Sequence, residues 1–144
     1  MRAILAAAAF GLMGVLATPA QAQRNDAFTG TWAFQTASYG DEQVGAIMSG
    51  VAVVTSATRN RYDIRLLANE RLVNRETGQN VFLTARQTCT GENDNGQFTI
   101  TCRLAEPLEG YEPDGFILQQ GEADQLMGVL NSSANSQVTF TRLR

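Results

Sequence analysis

The residues of this chain that could do chemistry are two cysteines, Cys89 and Cys102, and fourteen carboxylates; there is no histidine. Without an imidazole the commonest general base, metal ligand and physiological pH switch are missing. Nothing is available to activate a serine or thiol nucleophile by the usual route. The cysteines lack the Cys-x-x-Cys spacing of a redox centre. They lie symmetrically about Asn95-Gly96, the strongest short signal for a two-residue hairpin turn, because both residues tolerate the positive φ of a type I′ turn. With Asn95 and Gly96 as the loop, Asp94 faces Gln97, and counting outward sets Cys89 opposite Cys102 on a non-hydrogen-bonded pair. Cα atoms of such a pair are about 4.5 Å apart, within disulfide reach. A disulfide acting as a staple is expected, stabilising the fold by roughly 3 kcal/mol through loop closure.

The carboxylates support little catalysis. Asp63 and Glu70 are the pair that could converge for acid–base work, as a hydrolase using carboxylates alone would require. Glu106, Glu109, Glu112, Asp114, Glu122 and Asp124 do not follow the ligand spacing of a Ca²⁺ loop and read as a solvated acidic rim. No glycine-rich phosphate loop follows a strand. A protein that is not an enzyme and carries no cofactor or metal is therefore expected. All eleven basic residues are arginine, and the net charge is −3, so no broad positive footprint for nucleic acid or an anionic membrane exists. Arg59, Arg61, Arg65, Arg71 and Arg75 alternate with Asp63, Glu70 and Glu76, which implies surface pairing rather than an anion site.

Residues 1–22 have the form of a cleaved secretory signal: Arg2, an apolar run from Ile4 to Leu16, and Ala20-Gln21-Ala22 as the small-x-small cleavage site. Thr18, Pro19 and Gln21 interrupt the run before the roughly 20 apolar residues of a transmembrane helix accumulate. The mature protein is expected in the periplasm or outside the cell with no membrane span, and a paired disulfide suits that oxidising compartment. Residues 23–29 read as a short polar arm, and residues 30–144 as one domain.

From Gly30 onward, apolar and polar residues alternate over short runs separated by turn residues. Strands are expected at Thr31 to Tyr39, Met48 to Ser56, Arg61 to Leu72, a fourth whose inner face is Val81, Leu83, Ala85, Gln87 and Cys89, and a fifth bearing Phe98, Ile100 and Cys102. Three more follow at Gly115 to Gln120, Gln125 to Leu130 and Gln137 to Leu143. The fold class is all-β. Eight short antiparallel strands make either a sandwich or a barrel; closure removes edges, and short sequential connections favour a single up-and-down barrel. An eight-stranded barrel is filled by side chains or holds one small ligand.

Gly30-Thr31-Trp32 opens the first strand and Phe140-Thr141-Arg142 ends the last. This arrangement resembles the calycin superfamily, the lipocalin-like and avidin-like barrels. The resemblance implies a Trp32 packed at the closed end beneath Arg142, with Gly30 at the strand entry. Tyr111-Glu112-Pro113-Asp114-Gly115-Phe116 is a Pro-Asp-Gly turn feeding an apolar strand. With Gly30-Thr31-Trp32 and the disulfide, it is similar to the bacterial periplasmic metalloprotease-inhibitor barrels, whose cysteines lie nearer the N-terminus and whose N-terminal arm enters the protease cleft. That resemblance gives Gln23 to Phe28 the role of such an arm, outside the core. Tyr111, Pro113, Asp114 and Gly115 are the candidate interaction loop.

The expected function is thus a non-catalytic secreted binding module for a small apolar ligand or an extracytoplasmic protein, with a periplasmic metalloprotease inhibitor as the alternative and a carboxylate hydrolase as a third reading. Mass mapping of exported, unreduced protein should find an N-terminus near Gln23 and a single Cys89–Cys102 bridge. Two free thiols or a retained leader would overturn this reading.

Overall fold

The computed structural model describes residues 26–144, so the signal assignment and residues 23–25 of the arm lie outside the described residues. The strands are β1 (Gly30–Thr36), β2 (Tyr39–Gly40), β3 (Val44–Thr58), β4 (Arg61–Asn74), β5 (Asn80–Asp94), β6 (Gln97–Leu104), β7 (Gly115–Gln120), β8 (Gln125–Asn131) and β9 (Asn135–Arg142). Each of β3 to β8 pairs antiparallel with the next, and β1 pairs with both β9 and β3. That double pairing closes an eight-stranded up-and-down barrel. β2 is a two-residue flap on the end of β3.

Alternation decides which residues enter the barrel, because successive side chains leave opposite faces. Tyr62, Ile64, Leu66 and Ala68 of β4 are buried, while Arg61, Asp63 and Arg65 between them are exposed. At the β5–β6 turn Asn95 and Gly96 both take positive φ, Asp94 pairs with Gln97, and Cys89 and Cys102 sit opposite each other with Cα atoms 4.0 Å apart in a disulfide.

Two aromatic layers fill the interior. Phe34 stacks on Phe140 at 4.9 Å between centroids, and Phe116 meets both edge-on. Nearer the closed end Phe98 stacks on Phe28 at 4.4 Å, with Tyr62 edge-on to each. A Cβ at Gly50 or Gly91 would lie 2.6 Å from the rings of Phe34 or Phe98, so the rings press directly on the wall.

Several local expectations need correction. The first strand does not run from Thr31 to Tyr39; it ends at Thr36, and Tyr39 re-pairs with Ala46 of β3. Val81 keeps the inward parity of Leu83 and Ala85 but is not buried, being 53 % exposed, because β5 begins beyond the rim and its pairing with β6 starts only at Gln87. The segment read as a polar arm outside the core is part of it at Phe28, which is 3 % exposed. Asp26 fastens it by accepting a hydrogen bond from the Tyr62 hydroxyl and another from the Phe28 amide. Phe28→Ala should accordingly lower stability by about 3 to 5 kcal/mol, the range for emptying a buried aromatic site. Urea denaturation measures it, and a loss below about 1 kcal/mol would mean the segment does not plug the barrel.

Candidate functional site

The two ends of the barrel are built differently. At the closed end Trp32 is 1 % exposed, and its indole N–H donates to the Phe28 carbonyl at 2.8 Å. The Arg142 guanidinium carbon lies 4.3 Å from the centre of the Trp32 ring. Arg142 Nη2 donates to the Ala27 carbonyl at 2.7 Å, Nη1 donates to the Thr29 carbonyl, and Nε is 3.3 Å from Asp124. One planar cation thus stacks on a ring through its face and ties down the incoming chain through its edge, which suits the forked geometry of arginine. Gly30, at φ 139°, leaves room for this: a Cβ there would lie 2.5 Å from Arg142 Nη1. Asp124 also pairs with Arg144, and these contacts hold its carboxyl below the usual carboxylate range.

At the opposite end the inward row becomes polar. Gln87 of β5 is buried between Ala85 and Cys89 on the inward row, and its carboxamide clamps Asp114 at two points. Nε2 donates to Asp114 Oδ2, and Oε1 accepts the Asp114 amide at 2.9 Å. The Tyr111 hydroxyl donates to the same Oδ2 at 2.7 Å. Across the mouth the Tyr39 hydroxyl donates to Glu70 Oε1. Leu83, Leu104 and Leu108, half-buried against the core, supply apolar wall between these groups. Ion pairs of the described residues involve neither Glu70 nor Asp114.

Burial pushes the Asp114 carboxyl up, the Glu70 charge adds to the rise, and the hydrogen bonds from Tyr111 and Gln87 oppose it. The Tyr111 and Tyr39 hydroxyls are driven far above the ordinary phenol value, first by burial and then by the neighbouring carboxylates. Both phenols therefore stay protonated as donors, and they meet carboxyl acceptors that form no ion pair among the described residues.

The placement of the loop Tyr111, Pro113, Asp114 and Gly115 differs from that of a presented interaction loop. Pro113 faces solvent, but Tyr111 and Asp114 turn inward and Gly115 is half-buried at the start of β7. Asp114 is 3 % exposed, so it leaves the acidic rim to which its neighbours in sequence assign it, whereas Glu106, Glu109, Glu112 and Glu122 are exposed. Asp63 and Glu70 do not converge: Asp63 faces solvent and Glu70 faces the mouth, because seven positions reverse the face on a strand. Glu70, Gln87 and Tyr39 were reachable only through parity. Gln87 carries the one signal in sequence, a polar residue on an apolar face.

No family model matches this chain, and no curated protein matches it. Among solved structures it is similar to a barrel described as "De novo design of a fluorescence-activating beta barrel". The TM-score is 0.59 at 17 % identity, over 81 % of this chain and 94 % of that one. At that identity the likeness shows the fold, and the class it defines is the closed eight-stranded antiparallel barrel.

The raised Asp114 value makes a pH signature. A carboxyl whose folded pKa lies above its unfolded value of about 3.9 favours the fold fully below that value, and the contribution is lost as pH rises through the folded pKa. Denaturation of wild type and Asp114→Asn from pH 4 to 8 should show wild type losing stability relative to the variant as pH rises. A constant difference, or one of opposite sign, would refute a desolvated Asp114.

Proposed function

We propose that this protein is a non-catalytic binding module of the periplasm or extracellular space, a calycin-like barrel that takes a small, largely apolar ligand at the Tyr39–Tyr111 mouth. The observation that carries this reading is the asymmetry of the barrel ends. One end is sealed by Phe28, Trp32 and Arg142; at the other, five polar side chains turn inward onto leucine walls. A few convergent polar groups on an apolar concave surface are what orient a small ligand. Burying a carboxyl costs free energy unless it is paired, and Asp114 is buried there with hydrogen bonds but no ion pair among the described residues. The likeness to a barrel described as fluorescence-activating lends support of the same kind.

The seat is shallow. The Phe34, Phe116 and Phe140 layer fills the middle of the barrel, so a ligand would lie among Leu83, Leu104 and Leu108 rather than descend to Trp32. Secretion follows from the leader-like residues 1–22 and agrees with the disulfide.

Native mass spectrometry of protein purified from its own host should show a small-molecule adduct. An apolar environment-sensitive dye should bind, and Tyr39→Ala should weaken that binding about tenfold, or roughly 1.4 kcal/mol, while Val129→Ala on the outer wall leaves it unchanged. A bare chain mass together with dye binding indifferent to Tyr39→Ala would refute the ligand reading. Co-purification of another polypeptide instead would favour a protein partner.

A further inference from the structure

β5 is longer than the strand that covers it. Its pairing with β4 runs from Asn80 to Glu92, but its pairing with β6 begins only at Gln87, so among the described residues Asn80 to Ala85 has a strand neighbour on one side. β6 leaves the sheet where the Ala105 amide donates to the Arg86 carbonyl at 2.8 Å. That bond also reveals which way the backbone faces. In an antiparallel strand the N–H and C=O of one residue point to the same side and alternate along the chain. Arg86 points toward β6, so Thr84, Phe82 and Asn80 direct their N–H and C=O groups off the free edge.

The edge lacks the usual protection. Natural edges are blunted by charge, proline, a bulge or brevity, yet Gln79 to Ala85 contains no charged residue and no proline, and its register with β4 is unbroken. Phe82 is 73 % exposed and Val81 53 %, the two most exposed large apolar side chains among the described residues.

We propose that two copies of this chain associate through this edge, Asn80 to Thr84 of one β5 pairing antiparallel with the same segment of the other about a twofold axis at Phe82. Self-complementarity selects a second copy over an unrelated strand. In that register Phe82 faces Phe82 on the outer face, and Val81 faces Leu83 twice on the inner face. Asn80 faces Thr84 at either end. Directly opposed aromatic, aliphatic and amide–hydroxyl pairs are the favourable kinds. The flanking Arg86 falls opposite Gly78, so no like charges meet. The residues whose backbone groups point outward, at 80, 82 and 84, are those that become hydrogen-bonded pairs, giving about six backbone hydrogen bonds across the axis. The contact is isologous and closes on itself as a dimer. It does not depend on the ligand reading, since it rests on the backbone groups of the edge, and Leu83 is the residue that the edge shares with the mouth.

Sedimentation velocity of the mature chain between about 10 µM and 1 mM, a span suited to a small interface, should show a monomer–dimer equilibrium. Hydrogen exchange at the Asn80, Phe82 and Thr84 amides should slow as protein concentration rises. Phe82→Pro removes an N–H that the barrel does not use and should raise the dissociation constant at least about tenfold. Phe82→Lys, which sets two like charges opposite each other, should do the same and serves if the proline variant does not fold. A monomer at every concentration would overturn the proposal. So would a dimer that either folded variant leaves intact, or a monomer whose edge is filled by a strand of another protein.

Discussion

Everything else in this molecule depends on β1 being hydrogen-bonded on both sides, to β9 through Trp32 to Thr36 and to β3 through Gly30 to Gln35. An open sheet of this length would carry two long edges and one apolar face with nothing opposite it. Closing it turns that face into an interior and gives Trp32, Phe34 and Thr36 neighbours on every side. The first and last strands of the domain must find each other for this, so the contacts that hold the seam are separated by nearly the whole chain. Loop-closure entropy opposes such pairing, and the aromatic rings of both strands offset it. Phe34 against Phe140 is one such contact, and Trp32 beneath Arg142 is the other.

The seam explains why one end had to be sealed from outside the strands. Eight strands leave a bore that side chains can fill, but a strand terminus at the rim leaves rings exposed from above. The chain entering β1 passes over that rim, and Phe28 fills it while the carbonyls of Ala27, Phe28 and Thr29 accept hydrogen bonds from Arg142 and Trp32. Apolar filling and backbone satisfaction are thus met by the same short stretch. No equivalent stretch of the described residues crosses the far end. There the loop between β6 and β7 packs Leu108 against the core and sets Tyr111 and Asp114 beside Gln87, so the groups it brings are mixed apolar and polar.

What was legible in sequence was whatever local rules determine. Asn95-Gly96 determines its own turn, and the disulfide register follows by counting. Alternation in Tyr62 to Ala68 needs no distant partner to be read. What was illegible depended on where the barrel rim falls. Val81 continues the parity of Leu83 and Ala85 yet projects past the last residue of its neighbour. Phe28 sits in a polar segment, and only the position of the bore above Phe98 gives it a cavity to fill. Asp114 belongs by composition with the exposed acids around it, and by geometry with Gln87, twenty-seven positions away.

The overhang of β3, β4 and β5 beyond the barrel links these observations. Strands of 15, 14 and 15 residues stand beside neighbours of six to eight, so one side of the wall rises above the other. Its inner surface carries Glu70 and Leu83 over the mouth, and its lateral limit is the uncovered edge at Asn80 to Ala85. A barrel needing only stability would trim these strands to the length of the rest, because each extra pair adds exposed apolar surface for little burial. Retaining them gives the mouth a wall and the sheet a margin, and Phe82 at 73 % exposure is where the margin departs furthest from what an isolated barrel favours.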